Sequence, residues 1–305
     1  MLRFIYFVYF FRFSNKKIDD LYKRVVIRFA NHILYWFYLA TGSITRRRKL
    51  FKKSGSGVIL SLTSYPGRID TLWLVIETIL NQSVKPDRII LWLYEDEFNG
   101  VETVPDKLES LKRRGLEIRF CNLNLFPHKK YFYAMQEFPK NKVVTVDDDM
   151  LYHPDLIKNL LICNEKYPNA VCCSILREVG LKNSEVQPYS EWKYVQDSTA
   201  PTYINHLMGG GGTLFPPGSL NHELFNVESI KKLALRTDDL WLKIMSLKQN
   251  TKVSSVAGNY ERFFIPVIQK NDTPLMDLNI GGKNNDKNFK KLMEYYDIDA
   301  KWFCD

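Results

Sequence analysis

The sequence has no C-x-x-C pair and no cluster of cysteine with histidine, and its five cysteines (Cys121, Cys163, Cys172, Cys173 and Cys304) are scattered. That spacing excludes a thiolate zinc centre and a disulfide framework, and it fits small buried thiols in a reducing compartment. Within the first 53 residues the longest stretch free of charge, Phe29–Thr45, is 17 residues, includes His32 and ends in polar residues. A spanning helix needs about 20 predominantly apolar residues. No leader with a small-residue cleavage site opens the chain, which sets the expectation of a cytoplasmic protein. Internal repeats and low-complexity segments are missing too. The four glycines Gly209–Gly212 are not followed by Lys-Ser/Thr, so they are not a phosphate-cradling P-loop.

Basic charge is also lacking where a nucleic-acid-binding body would need it. The net charge is +9, but residues 1–53 hold 13 of the 43 Lys/Arg and only 2 of the 34 Asp/Glu, a local charge of +11. The remaining 30 basic and 32 acidic residues leave the rest of the chain at −2. A nucleic-acid partner is therefore excluded for the folded body.

What is present is an ordinary globular composition, 45% hydrophobic and 25% charged. A chain of 305 residues buries roughly three quarters of its unfolded surface. The composition divides it into an aromatic and basic segment, 1–53, and a catalytic-looking body, 54–305. Residues 1–41 carry 13 of the 42 aromatics. Ile18, Leu21, Val25, Phe29, Ile33, Trp36 and Ala40 make one helical apolar stripe, with Asp20, Arg24, Arg28, Asn31 and Tyr35 on a polar one. The cluster Arg46-Arg47-Arg48-Lys49, with Lys52 and Lys53, follows directly. An aromatic amphipathic helix beside basic residues suits an anionic cytoplasmic leaflet. The expectation is a membrane surface bound through residues 1–53, at the inner face of the plasma membrane. A marginal transmembrane anchor and a helix packed on the body or on a partner are the alternatives.

After the joint Ser54-Gly55-Ser56-Gly57, apolar strands alternate with helices. Strands are expected at Val58–Thr63, Arg88–Tyr94, Leu116–Phe120, Val143–Val146 and Ala170–Leu176, and helices at Ile69–Asn81, Pro105–Arg114 and Lys129–Phe138. This alternation implies an α/β fold with a mainly parallel, Rossmann-like sheet. Ligands bind beyond the carboxyl ends of strands in such sheets. The turn Thr63–Arg68 and the run Asp147-Asp148-Asp149 both fall at such ends.

Three carboxylates at a strand tip repel one another unless a cation sits among them. Mg²⁺ or Mn²⁺, with oxygen ligands and an affinity for diphosphate, is the natural partner. Strand alternation would aim Asp147 and Asp149 to one side, as metal ligands, and Asp148 to the other. A second acidic pair, Asp238 and Asp239, follows Thr237 at the start of a helix, where the dipole favours ionised carboxylates. Such a carboxylate facing a sugar hydroxyl is what a general base requires.

These motifs resemble the nucleotide-diphospho-sugar transferases of the GT-A fold, in particular bacterial capsule and lipopolysaccharide glycosyltransferases of family-2 type. The residues that carry the resemblance are the D-x-D-like Asp147–Asp149, Ser61-Leu-Thr-Ser-Tyr-Pro-Gly-Arg68, Phe126-Pro-His-Lys-Lys130, Gly209–Pro217 and Thr237-Asp-Asp-Leu-Trp241, with a weaker match over 279–286. The resemblance implies donor contacts from Thr63, Tyr65, Arg68, Lys130, Asp147 and Asp148. It places Gly210, Gly211 and Trp241 on the acceptor side, although Trp241 reads more readily as a core residue. It assigns the base role to Asp239 ahead of Asp238. Implied are Mn²⁺ or Mg²⁺, a nucleotide-sugar donor, UDP-linked by family habit, and a glycan or lipid-linked sugar acceptor. Many relatives supply a late histidine as a further metal ligand, and this chain has none after His222. A sugar nucleotidyltransferase is disfavoured because Thr-Ser-Tyr-Pro-Gly-Arg stands where a glycine-rich basic loop would be needed. The intact acidic pairs count against a non-catalytic membrane-peripheral scaffold.

Overall fold

The computed structural model describes residues 1–45, 55–98, 104–195, 197–256, 264–269 and 284–304, with side chains 42–45 outside that description. The basic cluster Arg46–Lys53, the residue Ser54 and most of the weak match at 279–286 lie outside the described residues.

Two helices, α1 (Leu2–Phe10) and α2 (Lys16–Thr45), precede the alternating body. There follow β1 (Val58–Thr63), α3 (Ile69–Leu80), β2 (Arg88–Tyr94), α4 (Glu95–Phe98), α5 (Asp106–Glu109), β3 (Leu116–Cys121), α6 (Lys129–Glu137) and β4 (Lys142–Thr145). Next come β5 (Met150–Tyr152), α7 (Leu156–Lys166), β6 (Val171–Cys173), β7 (Leu176–Glu178), β8 (Leu181–Lys182), β9 (Glu185–Val186), β10 (Lys193–Tyr194), β11 (Asn205–Leu207) and β12 (Thr213–Phe215). The chain continues through α8 (Val227–Leu233), α9 (Asp238–Lys248), β13 (Val253–Ser255), β14 (Phe264–Pro266) and α10 (Asn284–Tyr296).

Seven strands form the central sheet in the order β13-β6-β12-β4-β1-β2-β3. Only β12 runs antiparallel to its neighbours. The mainly parallel α/β architecture expected from the alternation is therefore present. Central parallel strands are covered on both faces, which is why Ile89–Leu93 reads as a continuous apolar run and Val58–Leu62 as one broken only by the buried Ser61. Cys172 joins the core on one face and Cys173 the core on the other, as period-2 alternation requires.

The expected strand Ala170–Leu176 is two strands. Val171–Cys173 stays in the large sheet, while Leu176–Glu178 pairs with β10 and β11 in a smaller one. Residues 105–114 are a short α turn followed by a 3-10 segment ending at Gly115, whose φ of 106° stops the helix.

Helix α2 is apolar on two faces. Val26, Ala30, Leu34 and Tyr38 pack into the same core as β1, β2 and α3. Of the stripe expected from the sequence, Ile18, Leu21, Val25, Phe29 and Trp36 stay 50–63% exposed and Ala40 is exposed too, whereas Ile33 turns partly inward against the core. Asn31, on the edge between them, donates to the Pro266 carbonyl at 2.9 Å and accepts from the Ile268 amide at 3.0 Å. Helix α1 is anchored by Leu2, Ile5, Tyr6 and Tyr9, with Tyr6 donating to the Leu151 carbonyl. No described helix is long and apolar enough to cross a membrane.

Candidate active site

A pocket of about 600 Å³ opens beyond the carboxyl ends of β1 and β4. It gathers Thr63, Tyr65, Arg68, Lys130, Asp147, Asp148, Asp149, Asp238 and Asp239, nine residues drawn from four separate sequence motifs. Residues 63–68 arrive from the end of β1, the aspartate run from the end of β4, Lys130 from the first turn of α6, and the second acidic pair from the first turn of α9.

Strand β4 ends at Thr145, so the aspartates lie on a bend and not on a strand. The alternation expected for them fails for that reason. Arg68 Nη1 is 2.8 Å from both Asp148 and Asp149 and draws those two to one side. Asp148 also accepts from the Ser64 hydroxyl at 2.6 Å. Asp147 faces the opposite way, 2.7 Å from Lys130 Nζ. Its amide donates to Tyr152 Oη at 2.7 Å, and that hydroxyl donates to the Gly210 carbonyl at 2.5 Å.

One guanidinium does not neutralise this run. Burial, then the charges of Asp147 and Asp148, push the Asp149 carboxyl up to about 7 against the pull of Arg68 and Lys130. Burial likewise raises Asp148, opposed by Arg68 and Ser64. Asp149 Oδ1 is buried without a hydrogen-bond partner. A buried orphan acceptor beside mutually repelling carboxylates fits a hard divalent cation. Among the described residues, no three His, Cys, Asp or Glu side chains converge as a complete ligand set.

Lys130 is 3% exposed and lies between the two acidic clusters, 2.7 Å from Asp147 and 2.9 Å from Asp238. The contact to Asp238 is an ion pair without hydrogen-bond alignment. Burial opposes the charge on Lys130, but Asp147, Asp238 and Asp239 hold its pKa well above the ordinary lysine value. Asp239 has no salt bridge of its own among the described residues and accepts from the Gly209 amide at 2.7 Å. Burial and then Asp238 push its carboxyl up to about 8. Thr237 holds the N-cap position of α9, but its hydroxyl is turned back to the Ala234 carbonyl, so it makes no side-chain cap.

The glycine loop serves the protein's own carboxylates. A Cβ on Gly210 would overlap the Asp147 carboxylate, and one on Gly211 would overlap Ile175. Neither glycine lines the pocket, so the acceptor contacts expected of them are replaced by close approach to Asp147 and Ile175. Trp241 takes the core place that its sequence favours over an acceptor contact: it is fully buried, with its indole N–H donating to the Leu224 carbonyl at 3.3 Å. Helical spacing put it on the inner face of α9, away from Asp239.

Sequence reasoning missed several pocket residues. Ser64 and Lys129 sat inside quoted motifs but were passed over. Tyr152, three residues past the aspartate run, supports the site from behind the pocket wall through its hydroxyl's bonds to Asp147 and Gly210, on a fold-back that no spacing announces. Glu97 and Asn124 join the wall from the ends of β2 and β3, with Asn124 Nδ2 donating to Glu97 at 2.9 Å. Tyr189 and Tyr194 come from the smaller sheet region, and Phe264 and Pro266 from β14, whose neighbour Val267 donates its amide to the Asp149 carbonyl at 2.8 Å.

No protein-family model matches the chain, and no curated protein matches its sequence. Among solved structures, the chain is similar to S. aureus TarS 1–349 in complex with UDP-GlcNAc, at 12% identity and a TM-score of 0.48 over 78% of this chain and 64% of that one. A second TarS structure is matched at 14% identity and a TM-score of 0.41, over 66% of this chain and 57% of that one. The mannosyltransferase PcManGT from Pyrobaculum calidifontis, in complex with GDP-Man and Mn²⁺, is similar at 11% identity and a TM-score of 0.48, over 89% and 75% of the two chains. This chain thus spans less than two thirds of the TarS fragment.

Proposed function

We propose that this chain is a metal-dependent glycosyltransferase that moves a sugar from a nucleotide-sugar donor to an acceptor hydroxyl with inversion. The observation that carries the reading is the meeting of two acidic clusters in one pocket, Asp147–Asp149 and Asp238–Asp239, with Lys130 charge-paired between them. The resemblance of the motifs to GT-A transferases points the same way.

Asp149, with its orphan Oδ1, is the residue that would hold Mn²⁺ or Mg²⁺, and Asp147 would join it only on leaving its ion pair with Lys130. When bound, the cation supplies positive charge against the donor diphosphate. Thr63, Tyr65 and Arg68, which line the pocket, would contact the donor, and Lys130 keeps the carboxylates compact. Asp239 accepts the proton of the acceptor hydroxyl. That oxygen bonds to the sugar C1 as the C1–O bond to the diphosphate breaks, and the bonding pair leaves with the nucleoside diphosphate. A carboxyl poised near the working pH suits this proton transfer. Asp238, already engaged by Lys130, positions that cation and leaves the base role to Asp239.

The acceptor is a glycan or lipid-linked sugar of surface polysaccharide synthesis, and residues 1–53 bring the enzyme to the inner face of the plasma membrane. A thermal-shift panel of UDP-, GDP- and CMP-sugars with and without Mn²⁺ tests the donor assignment. Stabilisation by a UDP-sugar only when Mn²⁺ is present is the expected result, and no shift with any donor would refute it.

A further inference from the structure

Twelve of the 18 exposed large hydrophobic side chains among the described residues fall within the first 37 residues. On α2 they follow helical spacing: Ile18, Leu21, Val25, Phe29 and Trp36 occupy one stripe, all at least half exposed. Helix α1 adds Phe4 at 65% and Phe7 at 76%, and the turn to α2 adds Phe11 at 57%. Solvent does not keep aromatic stripes of this length open without a use. The buried needs of both helices are met elsewhere, by Tyr6, Tyr9, Val26, Ala30, Leu34 and Tyr38.

The charge beside the stripe says what covers it. Lys17, Arg24 and Arg28, exposed on α2, recur along the flank next to it. Residues 1–53 carry a net +11. A second copy of the chain would bring this charge against itself. An anionic surface attracts it, and aromatic residues above a basic flank suit the interface between headgroup and acyl chain.

We infer that the outward face of α1 and α2 docks on an anionic lipid bilayer, and that the same helix carries the pocket to its acceptor there, so the acceptor is lipid-linked. The second half rests on the glycosyltransferase reading. On its inner edge α2 grips the strand that walls the pocket: Asn31 pairs with Pro266 and Ile268, Phe264 and Pro266 line the pocket, and Val267 holds the Asp149 carbonyl. The helix that meets the lipid is thus separated from the pocket by one strand.

The test uses the full chain and vesicles of phosphatidylcholine with or without 30% phosphatidylglycerol. Co-sedimentation should be strong with phosphatidylglycerol, weak without it, and reduced by salt. The variant Phe29→Glu/Trp36→Glu, altered only at exposed positions, should lose at least tenfold in vesicle affinity while keeping its circular dichroism spectrum. Equal binding by variant and wild type, or wild-type indifference to phosphatidylglycerol, would overturn the docking face; so would dimerisation that the variant abolishes. Donor hydrolysis in solution should be the same in variant and wild type, and transfer to a vesicle-embedded lipid-linked acceptor should fall with vesicle binding. Transfer unaffected by the loss of binding would overturn the acceptor assignment, whereas absence of donor turnover in both proteins would strike the glycosyltransferase reading and leave the vesicle result standing.

Discussion

The Lys130 ammonium lies 2.7 Å from the Asp147 carboxylate, although the two are 17 positions apart, with the rest of α6 and all of β4 between them. The same ammonium reaches Asp238 at 2.9 Å, so one buried cation joins the two acidic clusters on which the functional reading depends. Helix α6 puts Lys130 in its first turn, at the pocket, because the chain enters it from the carboxyl end of β3.

Removing that cation should cost both fold and function. Lys130→Met leaves the buried Asp238, and the partly exposed Asp147, without that counter-charge, a loss on the order of 3 kcal/mol that comes mainly from Asp238. Urea denaturation should detect it, and adding Asp238→Asn should restore part of the stability. Full stability in the single variant would show that the ion pairs have no structural weight.

Gly210→Ala places a methyl group on the Asp147 carboxylate. Displacement of a reacting group by about 1 Å can cost on the order of 100-fold in rate. The turnover number of the variant should fall by about that factor, with a smaller effect on thermal stability. Unchanged turnover would mean that the position of Asp147 does not matter.

Glu77 and Arg114 form an ion pair away from the pocket, with side chains 4% and 7% exposed. Arg114→Met should destabilise by about 3–5 kcal/mol, since it strands a buried carboxylate whose pKa burial already raises. The double variant Glu77→Leu/Arg114→Met should recover most of the loss. A double-mutant cycle with no coupling would contradict the pairing.

His128 supplies an acid-sensitive element. It is fully buried; its Nε2 lies 2.8 Å from the Ala234 carbonyl and its Nδ1 2.6 Å from the Tyr131 hydroxyl. The carbonyl can only accept, so Nε2 carries the proton and Nδ1 accepts from Tyr131. Burial lowers its pKa from 6.5 to about 4. Between those values the unfolded chain binds a proton that the folded chain refuses. Stability contributed by the neutral ring is therefore complete above about pH 6.5 and falls as the pH drops toward 4. The loss is on the order of 3 kcal/mol. His206, also lowered by burial, acts in the same direction, while Asp149 and Asp239, held near 7 and 8, act in the opposite one. The difference between wild type and His128→Gln isolates the contribution, and it should shrink between pH 6.5 and 4. A pH-independent difference would contradict it.

The alternation of strands and helices was legible because each central strand is buried on both faces and each crossover helix shows its own period, as in Ile69–Leu80. The convergence of residues 63–68, 130, 147–149 and 238–239 was legible because each motif sits at a strand end or helix start. The directions of the aspartates were not, since Arg68 arrives from another loop and overrides alternation once β4 has ended at Thr145. The glycine run looked like an opening for a ligand, but Asp147 and Ile175 already occupy the space beside Gly210 and Gly211. On α2 the outward stripe was the more hydrophobic of two. The inner one, built on Val26, Ala30, Leu34 and Tyr38, was masked by Asn31 and Tyr35, which lie beside it and are half-buried.

The most direct measurement of the central claim is nucleoside diphosphate release from the donor identified by thermal shift, with acceptor supplied, for wild type, Asp149→Ala and Asp239→Asn, each with and without Mn²⁺. Release is expected from the wild type only with the cation, with at least about a 100-fold loss in both folded variants, of the size seen when a group acting in the transition state is removed. Cation-independent release, or wild-type rates in either variant, would contradict it.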